Sequence, residues 1–448
     1  MKKIIESQKL FFNTNQTLRY IYRKEQLLKL KHAIIKYEQP LKNALYHDLH
    51  KSSFEAYSTE IGFTLHSISY ALKHLKKWMK PKRRKTPIFM FGSNSFIYPE
   101  PYGQVLIIGP YNYPAQLVLE PLVGAIASGN TVIIKPSEYA KEVEKVITKM
   151  IKETFDASYI DVVTGDYQVT SKLLDERFDY IFFTGSTRVG QIVYEKASKH
   201  LTPVTLELGG KSPTIIDQSV DLKKAAASIS FGKFMNAGQT CIAPDYIYVH
   251  ESKKDELISL LKKEIDKRYS KEETFGHIIH QGHFNRLKNL IDEDKVVYGN
   301  QLNMENNFIS PTILSDVKTT DKVMQEEIFG PILPILTYSN LDELIQQLKQ
   351  GEKPLALYMF SKNKKHIQKV LLELSFGGGA INDTIMHVSN GHIPFGGVGQ
   401  SGMGAYHGKT SFDTFSHMKS IVTKKIHHTL AYPPYSESKE RLIKKILK

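Results

Sequence analysis

A single cysteine, Cys241, stands among the 448 residues, in the stretch Phe234-Met235-Asn236-Ala237-Gly238-Gln239-Thr240-Cys241-Ile242-Ala243-Pro244. A thiol attacks carbonyl carbon as its thiolate, so a catalytic cysteine needs surroundings, commonly a helix N-terminus or a cation, that favour ionisation. Gly238, close by, would let a substrate or cofactor come near the backbone. Residue type alone leaves two readings open, a reactive thiol and a small buried hydrophobe. Glu207 is an isolated acid between Leu206 and Leu208 at a strand end ahead of Gly209-Gly210, a setting that suits a functional acid better than a surface or helix-capping one. His277, His280 and His283 are spaced like metal ligands, and His427-His428 add imidazole. No cysteine lies near them to complete a zinc site, so a solvated loop cluster is the simpler reading and no metal is expected. Cys241 with a distant histidine would instead make a hydrolase.

Elements must bring such groups together. Apolar runs at 105–108, 131–134, 161–163 and 180–183 alternate with helical patterns such as 142–155. Strands that read as continuous apolar runs between helices form parallel sheets covered on both faces, with ligands at the strands' carboxyl ends. A second series follows Gly209, at 213–216, 245–250, 332–338 and 355–360. The first eighty residues are helical in pattern, with an apolar stripe at Leu27, Leu28, Leu30, Ile34 and Ile35, a second helix over 60–78, and Pro81 after it. Gly185-Ser186-Thr187-Arg188-Val189-Gly190, between a strand and a helix, is a weak anion-site pattern that also suits a plain tight turn.

Composition narrows the class. With 41% hydrophobic and 24% charged residues the chain reads as globular and able to bury a large core. No run reaches the ~20 apolar residues that span a bilayer, and charge at Lys2, Lys3 and Glu6 breaks up any signal peptide. One cysteine rules out an intrachain disulfide framework and fits a reducing, cytoplasmic setting. The net charge of +14 concentrates at 80–85 and in the tail 439–448. Neither cluster carries interleaved aromatics or a nucleic-acid motif, so no nucleic-acid partner is expected. The tail's apolar residues, at spacings of three and four, suit peripheral contact with the inner face of a membrane.

Several motifs, in order, resemble those of the aldehyde dehydrogenase superfamily. Gly238-Gln239-Thr240-Cys241 is similar to its active-site cysteine motif, Leu206-Glu207-Leu208-Gly209-Gly210-Lys211-Ser212-Pro213 to its glutamate motif, and Gly109-Pro110-Tyr111-Asn112-Tyr113-Pro114 to its asparagine motif. Ile134-Lys135-Pro136-Ser137-Glu138, Gly185 to Gly190, Glu326-Glu327-Ile328-Phe329-Gly330-Pro331 and Pro394-Phe395-Gly396-Gly397 complete the set. The short N-terminus, Ser401 to Lys409, Asn382-Asp383 and Tyr432-Pro433-Pro434-Tyr435 resemble the class 3 branch, which includes fatty aldehyde dehydrogenases.

The resemblance implies an NAD(P)-dependent oxidation of an aldehyde to a carboxylate. Cys241 would be the nucleophile, Asn112 and the Cys241 N–H the oxyanion donors, and Glu207 the base for deacylation. Lys135, Glu138, Gly185, Ser186, Gly190, Glu327 and Phe329 would hold the cofactor, with NAD expected from the acid at 138 and NADP as the second candidate. Tyr113 would lie near the substrate, and His387, Val388, Ile393 and Phe395 would border a funnel suited to a medium- or long-chain aliphatic or an aromatic aldehyde. An apolar isoprenoid or carotenoid aldehyde is the alternative. Release of the thioester to coenzyme A, and a retired scaffold at a membrane surface, are the rival readings; Glu207 argues against the first and the intact triad against the second. The expected architecture is α/β, two tandem doubly wound domains. A Rossmann-like cofactor domain (1–80 and 99–208) precedes a catalytic domain (209–405). A bridging, oligomerisation element (81–98 and 406–448) would join a homodimer.

Overall fold

The computed structural model describes residues 1–269, 272–425 and 432–447; His427 and His428 lie outside the described residues. Two α/β sheets are present, as the alternating runs predict. The first has six strands in the order Gly402–Met403, Val204–Glu207, Tyr180–Thr184, Gln104–Ile108, Thr131–Lys135, Ile160–Val162. The five after the first are parallel and buried along their whole length. Such strands are solvent-free on both faces, which is why their sequences are continuous runs of Val, Ile, Leu and Phe.

The second sheet has seven strands, Val296–Tyr298, Thr312–Leu314, Ile332–Tyr338, Tyr246–His250, Pro213–Ile216, Ala356–Phe360 and Gly378–Ile381 in spatial order. All neighbours are parallel except the first pair. A third, three-stranded antiparallel sheet is made by Lys82–Arg84, Ser93–Pro101 and Ser416–Lys424.

After the second sheet the chain returns to the first. Gly402–Met403 pairs antiparallel with Val204–Glu207, opposite Glu207 itself. A Cβ on Gly402, whose φ is +152°, would stand 2.4 Å from the Leu206 carbonyl oxygen, so this closing strand requires glycine. Helix Gly408–Thr414 then packs on the helices Gly62–Trp78 and Gln116–Ser128. No helix among the described residues is long and apolar enough to cross a membrane.

Candidate active site

In the first sheet the strand order reverses beside Gln104–Ile108, whose neighbours are Thr131–Lys135 on one side and Tyr180–Thr184 on the other. A crevice opens at the carboxyl ends of strands at such a reversal. The loop leaving 104–108 carries Asn112, that leaving 180–184 carries Gly185 and Ser186, and Glu207 ends its own strand. The second sheet departs from the expected carboxyl-end placement. Its contributions, Gly209-Gly210, Cys241 and Glu327, precede the strands at 213, 246 and 332 and so lie at their amino ends. The chemistry is assembled where the carboxyl ends of one sheet meet the amino ends of the other.

Cys241 follows a tight turn. Asn236, Ala237 and Gly238 all have positive φ, 54°, 51° and 73°. Two consecutive non-glycine residues in this region are costly and persist only where surroundings enforce them. Enforcement comes from Glu55, whose Oε1 accepts the Asn236 N–H at 2.8 Å, and from Gln239, whose amide donates to the Asn236 and His277 carbonyls. A Cβ on Gly238 would lie 2.3 Å from the Gly330 carbonyl oxygen. The close neighbour of Gly238 is therefore protein backbone, where the sequence suggested a ligand. Asn112, 2% exposed, donates its side-chain amide to the Gln239 carbonyl at 3.0 Å. Its second amide hydrogen has no partner among the described residues.

The electrostatics run against a resting thiolate. Burial, then Glu327 and Glu207, push the Cys241 thiol above its ordinary range, against the opposing pull of the Cys241 and Ile242 N–H groups. Among the described residues no cation offsets this. Burial likewise pushes Glu207 well up, and among the described residues neither of its carboxylate oxygens has a partner. A carboxyl whose proton affinity is raised by burial, beside a half-buried thiol, suits a proton acceptor better than a structural cap. Glu327 is raised to about 8, first by burial and then by Asp245.

Cys241 opens onto a cavity of about 490 Å³. Phe54, Phe63, Phe231, Met235, Ile385 and Met386 make much of its apolar wall, together with Tyr113, Val388 and Phe395. Tyr113 is buried, with its hydroxyl 2.7 Å from Thr240 Oγ1. Of the four residues expected along the funnel, Val388 and Phe395 line it. His387 stacks behind Phe395 instead, and Ile393 is 43% exposed away from the wall. Phe54 and Phe63 come from the N-terminal helices, whose apolar periodicity gave no hint of a ligand.

Similarity decides what the arrangement belongs to: the profile of the aldehyde dehydrogenase family matches residues 1–421.

The chain belongs to the aldehyde dehydrogenase family.

It is 53% identical to the 4,4'-diaponeurosporen-aldehyde dehydrogenase of Staphylococcus aureus, over 98% of this chain and 97% of that one. It is 44% identical to the dog "aldehyde dehydrogenase, dimeric NADP-preferring", over 95% and 94%. A solved structure described as the substrate-bound state of Staphylococcus aureus AldH superposes with a TM-score of 0.98 at 52% identity, covering 100% and 99% of the two chains. Family 3 members are among the other relatives, including member A2 of the rat at 43% identity over 98% and 92%. The enzyme is thus an NAD(P)-dependent aldehyde dehydrogenase of the class 3 type that oxidises aldehydes.

An anion-binding helix end lies at the reversal point of the aldehyde dehydrogenase's first sheet. Ser186 caps helix Thr187–Ser198 through its hydroxyl, so that helix presents its N-terminal amides at the reversal point, an anion-binding arrangement. Gly190 lets the helix sit tightly on Leu208, since a Cβ there would be 2.6 Å from Leu208 Cδ2. Lys135, 1% exposed, donates to the Pro136 carbonyl at 2.6 Å and reaches Glu138 at 3.4 Å. Gly185 stands against the Phe183 ring. Phe329 has a positive φ of 54°, and its carbonyl accepts from His283 Nε2 at 2.8 Å. Arg286 donates to the Glu327 and Ile328 carbonyls and to Glu326. His283, spaced like a metal ligand in sequence, thus helps brace the 326–329 loop, while His280 caps helix Gln281–Lys288 and His277 stacks on His50. Among the described residues no group of three or more His, Cys, Asp or Glu is arranged to hold a metal.

Gly209 has the tightest side-chain neighbour here: a Cβ would lie 2.1 Å from Glu327 Oε2. Gly209→Ala therefore has to move Glu327. The expected result is a KM for NAD(P) raised by about 10-fold or more, with the aldehyde KM little changed, since displacement of a positioning group by about 1 Å is costly. Steady-state kinetics with each substrate varied in turn checks it.

Proposed function

We propose that the enzyme oxidises a long apolar aldehyde of the isoprenoid or carotenoid kind to its carboxylate. The observation that carries this is the apolar cavity leading to Cys241, supported by strong similarity to a relative named for 4,4'-diaponeurosporen-aldehyde. The Cys241 sulfur bonds the aldehyde carbon, and the carbonyl electrons move to oxygen, which the second N–H of Asn112 and the Cys241 N–H receive. The thiol proton is released to solvent. Bound NAD(P) supplies the acceptor for the hydride whose departure turns the thiohemiacetal into a thioester. Glu207 then takes a proton from water, whose oxygen attacks the thioester carbon as the C–S bond breaks. Lys135, Glu138, Gly185, Ser186, Gly190, Glu327 and Phe329 are proposed as the cofactor-holding residues. Glu138 favours NAD, because a carboxylate pairs with a free ribose 2′-hydroxyl; the dog relative's name keeps NADP as the second cofactor.

A medium- or long-chain aliphatic, or an aromatic, aldehyde is the second reading, supported by the family 3 relatives. A panel of hexanal, decanal, hexadecanal, benzaldehyde and retinal, each with NAD and NADP, tests both. The expected outcome is a kcat/KM that climbs with apolar length and peaks at the polyene. Hexanal or benzaldehyde as best substrate, with retinal inert, would overturn the polyene proposal.

The division into a cofactor domain (1–80 and 99–208), a catalytic domain (209–405) and a bridging element (81–98 and 406–448) is part of the same reading. The protein is proposed to work as a cytoplasmic homodimer joined through the bridging element, in keeping with the word dimeric in the dog relative's name. Helix Glu437–Leu447, with Leu442 and Leu447 exposed beside Lys444 and Lys445, suits peripheral contact with an anionic membrane face.

A further inference from the structure

Two charged side chains that the chemistry above does not use are shut off from solvent. Lys51 and Glu60 are both 0% exposed. Lys51 Nζ donates to Glu60 Oε1 at 2.6 Å and to the Asn112 carbonyl at 2.9 Å, and it stands 3.9 Å from the centre of the Tyr113 ring. The other oxygen of Glu60 accepts the N–H groups of Ala115 at 2.9 Å and Gln116 at 3.1 Å, where helix Gln116–Ser128 begins. The pair therefore grips the Asn112 loop at its middle and at its end. The second lone pair of the Asn112 carbonyl receives Asn236 Nδ2 at 2.8 Å, so the same atom ties the loop to the turn that carries Cys241. Glu60 lies in a π turn, Tyr57–Ile61, a widened helical turn that recurs at functional sites.

A buried ion pair is a poor device for stability alone, because desolvation cancels most of its attraction and an apolar pair does as well. What it supplies is direction. We infer that Lys51, held by Glu60, is a positioning residue for the oxyanion site. It fixes the main chain at residue 112 so that the free amide N–H of Asn112 meets the aldehyde oxygen once Cys241 has attacked. The inference rests on the oxyanion role proposed for Asn112.

The test compares the full-length enzyme with Lys51→Met/Glu60→Gln, which removes both charges and keeps an acceptor for the helix start. Lys51→Arg, Asn112→Ala and the triple combination complete the set. Read for each are kcat, aldehyde KM, Tm and the rate at which iodoacetamide alkylates Cys241, a reaction that needs no oxyanion donor. Lys51→Met/Glu60→Gln is expected to lower kcat about 30- to 100-fold, in line with loss of alignment at one donor. Aldehyde KM and the alkylation rate should stay within about threefold of the wild type, Lys51→Arg should recover most of the kcat, and the charge removal should add nothing in the Asn112→Ala background. A kcat within about threefold of wild type, a loss that adds to that of Asn112→Ala, or a matching fall in alkylation overturns the inference while leaving Asn112's role intact. Full kcat in Asn112→Ala would instead overturn the oxyanion role and the inference with it.

Discussion

Cys241→Ala is expected to lower the kcat for aldehyde oxidation by roughly 10⁵-fold or more, the scale on which removal of a catalytic nucleophile acts. No neighbour can take over. The Thr240 hydroxyl is engaged by Tyr113, and the acids beside the thiol, Glu207 and Glu327, would hold proton or cofactor rather than carbonyl carbon. The fold should be unaffected, because the thiol is half-buried at a cavity wall and its loss leaves no closed void. NADH binding, followed by fluorescence titration, should therefore persist with unchanged affinity. Retained oxidation in Cys241→Ala would sink the covalent mechanism; lost NADH binding would mean that the residue shapes the cleft instead.

Glu207→Gln should separate the two halves of the reaction. With the base gone, water attacks the thioester slowly, and steady-state turnover falls by about 10²- to 10⁴-fold, the range for removal of a general base. Formation of the thioester still releases the first equivalent, so rapid mixing should show a burst approaching one NADH per Cys241. Absence of a burst would assign Glu207 to thiol deprotonation as well. The pH dependence follows from the directions of the two shifts. Glu207 and Cys241 are both held above their ordinary values, so each must lose a proton against its surroundings. Wild-type kcat should climb as pH rises from neutrality into the alkaline range, and the deacylation limb of that climb should flatten in Glu207→Gln.

Eight strands could be read from the sequence because parallel strands buried on both faces leave long apolar runs. The strand Val204–Glu207 was legible only by its end at Glu207, because four residues with a Thr and a Glu carry too little of that pattern to show its extent. Ser416–Lys424 escaped because an antiparallel strand with one wet face reads as polar. Cys241, Glu207 and Asn112 were legible from motif chemistry. Lys51 and Glu60 were not: one in the short connection between helices Glu38–Leu49 and Ser53–Ala56 and the other in a helical turn, they look like surface charges, and only closure of the loop after 104–108 reveals that they are buried. The wall of the funnel was equally hidden, since Phe54, Phe231 and Met386 are drawn from segments far apart in the chain and share no local period. Which ends of the second sheet face the crevice is a property of packing between sheets, to which strand patterns are blind.

The pairing of Ser416–Lys424 with Ser93–Pro101 also sets a timetable. The two strands are 319 residues apart at Glu100 and Lys419. On a ribosome adding about 5–20 residues per second, that gap amounts to roughly 15–60 s during which the inner strand has an unpaired edge. The closing strand at 402–403, opposite Glu207, arrives equally late. Nascent chains of this enzyme thus pass through a stage at which most of the first sheet can form but its last strand and the antiparallel arm cannot. That interval is when holding chaperones, or an edge-to-edge encounter with a second nascent chain, would act.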